Sequence, residues 1–175
     1  MANPADASKF EIRYEGGGDL PIFVDHLFAT TIESGIYLSM ATLLPARADV
    51  REASVQATLF LPVSAIEALH TLTSDVRRHV GGGRPQMTGE TVALRHDLPR
   101  SDVPALANFF NCNSTPDGLH LSVGRQSAGT PNLAVVFATY HMTMGTLLQL
   151  DWIVENLVGM IQRPKSYAEG PATRQ

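Results

Sequence analysis

The sequence contains a single cysteine, Cys112, among 175 residues. One cysteine excludes an intramolecular disulfide framework and a cysteine-based zinc cluster. A catalytic thiol would need a neighbouring base and positive surroundings, and the flanking Asn111 and Asn113 supply neither. Because Cys112 aligns with Ala29 in the repeat described below, we expect it to be a small buried apolar side chain.

Positive charge is scarce. The chain has 13 Lys and Arg against 17 Asp and Glu, for a net charge of −4, and its only tight basic cluster is Arg77-Arg78 beside His79. A nucleic-acid binder needs clustered cations to neutralise phosphates, so we expect no nucleic-acid partner. The basic cluster is typical of a helix C-terminus, where cations are favourable.

Long apolar runs are also absent. The most apolar stretch, residues 142–161, is interrupted by four polar side chains: Gln149, Asp151, Glu155 and Asn156. It is therefore not an ordinary membrane span. The first nine residues lack the apolar core of a signal peptide, so we expect a cytoplasmic protein.

The sequence offers no compact metal or cofactor motif. No two of its six histidines share the two- to four-residue spacing that would place both on one metal ion. The glycine triplets at 16–18 and 81–83 lack the spacing and the Lys-Ser/Thr of a phosphate loop. We expect no metal site, no cofactor and no catalytic residue.

What the sequence does contain is an internal repeat. Residues 20–39 align with residues 103–122 without a gap, at a spacing of 83 positions that pairs Gly35 with Gly118. Shorter stretches on either side align at spacings of 82 and 81: residues 10–15 with 92–97, and residues 55–59 with 136–140. The changes in spacing fall in segments that look like loops, where length differences are tolerated. A duplicated unit predicts two halves with the same backbone, related by a pseudo-two-fold axis.

Each copy predicts four strands followed by one helix. Alternating apolar residues predict the strands, and three- and four-residue apolar steps predict the helices. We therefore predict an α+β fold built from two tandem repeats, each an antiparallel four-stranded sheet followed by one helix. The predicted boundaries are a disordered tail at residues 1–9, a first repeat at 10–80, a linker at 81–91, a second repeat at 92–162 and a disordered tail at 163–175.

The second predicted helix, near residues 144–162, is apolar almost all round. Leu148 and Trp152 lie away from its core-facing stripe, whereas the first helix has Glu67 and Thr71 at these positions. Leaving the two large apolar side chains in water would forgo roughly 1.5–3 kcal/mol each, so we expect them to be covered. They can pack beneath the first repeat or the connector, or they can form an interface with a partner. The predicted interface residues are Leu148, Trp152, Val154 and Val158.

Asp25 and Asn108 occupy equivalent places in the two copies. As a pair facing each other across the pseudo-two-fold axis, they could bind a polar ligand. The alternative is that each satisfies a backbone group at a strand irregularity, as Asp and Asn side chains commonly do. The sequence leaves both alternatives open.

These features resemble a family of short prokaryotic domain-of-unknown-function proteins about one repeat in length. Residues 23–27 (Phe-Val-Asp-His-Leu) and 106–110 (Leu-Ala-Asn-Phe-Phe) take the place of its aromatic-x-Asn motif, and residues 61–63 and 142–144 take the place of its strand-to-helix junction. The second copy departs from the pattern because it lacks the aromatic residue and the proline. The resemblance implies a strand-strand-strand-strand-helix unit and brings no known catalytic residues.

A second resemblance is to the bacterial export chaperone SecB, which also opens with a short polar tail and a Phe-x-Ile-x strand. The matching residues here are Phe10-Glu11-Ile12-Arg13. This resemblance covers little beyond the first strands. It implies a subunit of four antiparallel strands and helices, from which this chain departs by its internal repeat.

The sequence favours a non-enzymatic function. We expect a cytoplasmic binding or scaffold module that self-associates as a homo-oligomer, or binds another protein, through its apolar second helix. The alternative is a chaperone, similar to SecB, that holds extended apolar polypeptide along a sheet edge or groove. An enzyme with a site between the repeats is the third hypothesis, because no polar residues are concentrated in one part of the sequence.

Overall fold

The computed structural model describes residues 10–46, 50–85, 91–99 and 103–161. The tails predicted at residues 1–9 and 163–175, and part of the linker predicted at 81–91, lie outside the described residues. The elements named below all fall within these four ranges.

Ten strands and two helices lie in the described residues. The first half of the chain contains β1 (Glu11–Tyr14), β2 (Pro21–Val24), β3 (His26–Ile32), β4 (Gly35–Leu43), β5 (Arg51–Pro62) and α1 (Val63–Val80). The second half contains β6 (Val92–Arg95), β7 (Ala105–Leu106), β8 (Phe109–Thr115), β9 (Gly118–Gln126), β10 (Leu133–Met142) and α2 (Met144–Ile161). This combination of strands and helices confirms the predicted α+β class.

Helix α1 begins directly after Pro62 and ends at Gly81. A proline at a helix start costs little, because its missing N–H would have no partner there. Gly81 adopts the left-handed conformation, with φ of 70°, and its N–H donates to the carbonyl oxygen of Arg77 at 2.9 Å. The last turn of α1 carries Arg77, Arg78 and His79, as the sequence predicts.

The strands form two five-stranded sheets, and each sheet combines strands from both repeats. Sheet A contains β8, β9 and β10, with β1 and β2 of the first repeat paired parallel to β10. Sheet B contains β3, β4 and β5, with β6 and β7 of the second repeat paired parallel to β5. The sheets are therefore mixed and five-stranded, where the sequence predicts antiparallel sheets of four strands. The difference arises because each repeat gives its two short N-terminal strands to the sheet of the other.

The exchanged strands follow the same register in both halves. Ile12 of β1 lies opposite Ala134, and Leu94 of β6 lies opposite Ala53. These two pairs are equivalent under the repeat, since Ile12 aligns with Leu94 and Ala53 with Ala134. The ladders between β4 and β5 and between β9 and β10 also shift register at equivalent positions. Both halves of the chain thus follow one plan of strand pairing.

Gly35 and Gly118, which the repeat alignment matches, begin β4 and β9. A side chain at Gly35 would overlap the carbonyl oxygen of Leu61, and one at Gly118 would overlap that of Met142. Glycine is therefore required at both positions by the close approach of the neighbouring strand.

The main core lies against a pair of helices that pack on each other. Helix α1 also contacts β8 of sheet A, and α2 contacts β3 of sheet B, so each helix contacts an edge strand from the other repeat. Buried apolar side chains of this core come from both repeats and include Ile66 and Leu69 of α1 and Leu147 and Leu150 of α2. The two repeats therefore share one core.

Candidate functional site

Helix α2 uses much of its predicted interface inside the molecule. Val154 is fully buried in the core, so it does not present a surface to a partner, contrary to the prediction. Leu148 packs at the end of α1, where a Cβ added to Gly82 would overlap its side chain. Val158 is half-buried and packs against the core, and Trp152 is half-buried and lines an open groove. Trp152 is thus the predicted residue that borders an open groove.

A buried carboxylate joins the two helices. Asp151 of α2 is 1% exposed, and its Oδ1 accepts hydrogen bonds from the hydroxyl groups of Thr73 at 2.9 Å and Ser74 at 3.2 Å. Its Oδ2 lies 3.0 Å from the guanidinium of Arg77. A buried charge needs such partners, because leaving it unpaired is costly, and the partners here all lie on α1. The cluster therefore fixes the position of α2 along α1.

The packing of α2 on α1 accounts for the positions of two predicted interface residues, the buried Val154 and the half-buried Val158. The positions of α2 that correspond to Thr73 and Arg77 are Val154 and Val158. Because the two helices face each other with equivalent sides, these valines lie on the side of α2 that faces α1. The sequence marks Asp151 only as an interruption of an apolar stretch and does not reveal this role.

An open groove runs between the second half of α2 and strand β3, and we call it the α2–β3 groove. It consists of two adjoining cavities, of about 380 Å³ and about 230 Å³, that share Leu157 and Met160 in their linings. Met160 is 62% exposed although it is apolar. The other lining side chains are mostly apolar or small and include Leu27, Ala29, Ile32, Trp152, Ile153 and Ile161. The exceptions are the polar Asn156 and the carboxylate of Glu33, which follows directly after β3.

The equivalent surface beside α1 has a different character. On α1, the counterparts of Trp152 and Met160 are Thr71 and His79. On β8, Phe110 packs against the core, as its counterpart Leu27 does on β3. Among the described residues, the difference between the two surfaces therefore lies in their helices, since α1 has polar side chains where α2 has Trp152 and Met160.

Strand β3, which forms one wall of the groove, is an edge strand. Within the described part of the chain it pairs with β4 alone, and that ladder has no register shift. Its sequence, His-Leu-Phe-Ala-Thr-Thr-Ile, contains no Lys, Arg, Asp, Glu or Pro, and its last four residues are exposed. Natural edge strands usually carry charge, proline or a bulge that prevents pairing with another chain. Because β3 has none of these, it can accept a further strand.

Asp25 and Asn108 each bind the backbone of their own sheet. Asp25 Oδ1 accepts a hydrogen bond from the N–H of Leu43, at the end of β4, at 2.8 Å. Asn108 Oδ1 accepts one from the N–H of Gln126, at the end of β9, at 2.7 Å, and the Asn108 amide donates to the carbonyl oxygen of Gln126 at 3.0 Å. Leu43 and Gln126 are equivalent positions of the repeat. Both side chains thus satisfy backbone groups at a strand end, and these hydrogen bonds do not join them as a pair.

The half-buried Cys112 thiol and the buried Tyr140 phenol have the opposite character to that of a nucleophile. Burial raises the pKa of the Cys112 thiol, and burial likewise raises the pKa of the Tyr140 phenol. A thiol with a raised pKa supplies less thiolate at neutral pH, so Cys112 is poorly suited to nucleophilic attack. No group of three or more His, Cys, Asp or Glu side chains in the described ranges is placed to hold a metal ion.

The sheets bring together two histidines that are distant in the sequence. His120 of β9 and His141 of β10 lie opposite each other in antiparallel register, with ring centroids 5.2 Å apart. Local spacing does not reveal this pair, because cross-strand neighbours can be any number of residues apart. The repeat alignment does carry the signal: it places the two histidines on Tyr37 and Phe60, which lie opposite each other in β4 and β5.

Comparisons of the chain with protein-family models, with curated proteins and with solved structures find no match. The resemblances to a domain-of-unknown-function family and to SecB therefore stay predictions, as do the cytoplasmic location and the absence of a nucleic-acid partner. No helix within the described residues is long and apolar enough to cross a membrane.

Proposed function

We propose that the protein is a non-enzymatic binding or scaffold module that self-associates through the α2–β3 groove. In this proposal, β3 of one copy pairs antiparallel with β3 of a second copy, and the groove residues of each copy are covered by the other. The observation that carries the proposal is an uncharged, unprotected edge strand that lies directly beside an apolar groove.

A second copy of the chain suits this surface chemically. An apolar groove favours an occupant without charge, and β3 itself carries no Lys, Arg, Asp or Glu. Antiparallel pairing of two identical edge strands is compatible with a two-fold axis, so the contact closes as a dimer and does not extend into a filament. The small exposed side chains of Ala29, Thr30 and Thr31 leave room for the approach of a second strand.

Self-association would also remove exposed apolar surface from water. Met160 is 62% and Ile161 is 41% exposed at the open end of the groove. Fully burying a side chain of this size is favourable by about 1.5–3 kcal/mol, so two such residues in each copy supply a useful part of the free energy of dimerisation. They do not supply all of it, because association also costs translational and rotational freedom.

The second candidate function is that of a chaperone that holds extended apolar polypeptide in the same groove. The same unpaired edge favours it, since an extended peptide can add to a sheet edge through main-chain hydrogen bonds. The two candidates differ in what occupies the groove: a second copy of β3 in the first, and an unfolded client in the second.

Sedimentation equilibrium on matched variants tests the proposal. We expect the wild-type protein to dimerise and Met160→Glu to weaken dimerisation by at least tenfold, because a carboxylate would have to be desolvated in the groove. The matched control is His79→Glu, which places the same charge at the equivalent exposed position of α1 and should leave dimerisation unchanged. A wild-type protein that stays monomeric at its highest soluble concentration would refute self-association.

An aggregation assay separates the two candidates. If a monomeric wild-type protein suppresses the aggregation of an unfolded client, and Met160→Glu loses this activity while His79→Glu keeps it, the chaperone function replaces self-association. If neither dimerisation nor suppression is observed, the groove has neither of the proposed functions.

A further inference from the structure

Two imidazoles meet on one face of sheet A. His120 and His141 are cross-strand partners, and their rings lie nearly perpendicular, at 81°, with centroids 5.2 Å apart. Phe23, the partner of His141 on β2, lies on the other side with its ring centroid 6.1 Å from that of His141. Asn113, the partner of His120 on β8, completes a row of four side chains across the sheet.

The distance between the rings suits a shared metal ion. In a tetrahedral site, each imidazole nitrogen lies about 2.0–2.1 Å from the metal, which places the centroids of two ligating rings roughly 5 Å apart. The rings of His120 and His141 already have this separation. Both rings are only half-buried, so water molecules can complete the coordination.

One nitrogen of the pair lacks a partner that a bound ion could supply. Nδ1 of His141 is buried and has no hydrogen-bond partner in the described part of the chain. Buried polar atoms are nearly always satisfied in native proteins, so this nitrogen favours a ligand beside the His141 ring.

The first repeat shows what a purely structural pair looks like at these positions. Its counterparts are Tyr37 and Phe60, whose ring centroids lie 5.7 Å apart. Aromatic rings therefore suffice to pack this part of the sheet. The second repeat has a metal-binding side chain at both positions, which packing alone does not require.

We propose that His120 and His141 together bind a divalent transition-metal ion, of the class that imidazole ligands favour, such as Zn²⁺, Ni²⁺ or Cu²⁺. The site has two protein imidazoles, and water occupies the remaining positions. With fewer protein ligands than the three of typical catalytic zinc sites, it binds more weakly than those sites, and Cu²⁺ binds more tightly than Ni²⁺ or Zn²⁺.

Thermal unfolding of the full chain with added metal tests this proposal. Because a metal that binds the folded state stabilises it by mass action, Zn²⁺ at about a hundredfold excess over its Kd should raise the Tm of the wild-type protein by about 5–10 °C. The variants are His120→Tyr and His141→Phe, which install the residues of the first repeat and so keep the packing. Each should lose most of the Tm shift. The matched control is His96→Tyr, which makes the same kind of exchange at the position equivalent to Tyr14 and should keep the full shift.

A spectroscopic readout keeps the test independent of folding effects. Addition of Cu²⁺ to the isotopically labelled protein should broaden the amide signals of β9 and β10 around the two histidines before those of β4 and β5. The proposal is wrong if the wild-type Tm does not rise with any of the three metals, or if His120→Tyr and His141→Phe keep the wild-type shift. Broadening centred on other histidines would overturn it as well.

Discussion

Asp151 carries the polar contacts that join α2 to α1, and its removal should be costly. Asp151→Ala leaves the Arg77 guanidinium and two hydroxyl groups without their shared acceptor. Breaking a buried ion pair costs about 3–5 kcal/mol, and we expect a loss near the lower end because the Arg77 side chain keeps some contact with water. The free energy of unfolding, measured in urea, gives this loss.

The control is Glu155→Ala, since Glu155 is exposed and lies 3.8 Å from the same guanidinium. It should cost less than about 0.5 kcal/mol, and equal losses from the two variants would contradict the role given to Asp151.

Tyr140 should make the folded state sensitive to alkaline pH. Its ring is 1% exposed, and burial raises the pKa of its phenol above the usual value of about 10. Above that pH the unfolded chain releases the proton while the folded chain keeps it, so stability is full at neutral pH and falls as the pH rises. The titration of Tyr140 lowers the free energy of unfolding by up to about 1.4 kcal/mol per pH unit.

Tyr140→Phe should therefore flatten the decline in the free energy of unfolding between about pH 10 and pH 11. The difference in the free energy of unfolding between the wild-type protein and Tyr140→Phe at pH 7 gives the part of the effect that does not depend on titration of the phenol. Parallel declines in the two proteins above pH 10 would contradict this account.

Single residues were the hardest part of the site to predict from the sequence. An isolated Asp in an apolar helix has the same pattern whether it is exposed or buried in a polar cluster, because its partners lie on another helix. The pairing of His120 with His141 is invisible to local spacing for the same reason. Asp25 and Asn108 were recognisable as equivalent positions, and their backbone hydrogen bonds match one of the two alternatives that the sequence left open.

At the scale of elements, periodicity predicted most of what forms. Apolar steps of three and four residues correctly predicted one helix at the end of each repeat, where α1 (Val63–Val80) and α2 (Met144–Ile161) lie. The glycines matched by the repeat, Gly35 and Gly118, lie where β4 and β9 begin. The exchange of β1, β2, β6 and β7 was not predictable, because these strands have only two to four residues. An alternating pattern that short fits an edge in either sheet and does not distinguish parallel from antiparallel pairing.

The same limit applies to α2. Apolar residues lie on nearly all sides of α2, and this correctly indicates a helix that must be covered on more than one side. Periodicity does not show which side the first helix covers, and so Val154 was assigned to an interface although it is in the core. The structure assigns the side containing Val154 to α1 and leaves the side containing Trp152 beside the edge of sheet B. The candidate site is therefore a groove between a helix and a strand, and not a helix face alone.

At the scale of the whole molecule, the exchange of edge strands makes one unit from two repeats. Each sheet requires strands from both halves of the chain, and both helices contribute to one core. The two halves have nonetheless diverged at equivalent surfaces. The first repeat supplies β3, and the second supplies the apolar half of α2, so the α2–β3 groove exists because the repeats are joined. Its counterpart beside α1 has polar residues on the helix.

Hydrogen exchange at two protein concentrations tests the central claim most directly, because β3 and β8 are equivalent edge strands in the same molecule. If two copies pair through β3, its amides should exchange more slowly in concentrated than in dilute solution, while those of β8 should exchange at the same rate in both. Exchange in β3 that does not depend on concentration, or equal slowing in β3 and β8, would contradict the assignment of the α2–β3 groove as the surface through which the protein associates.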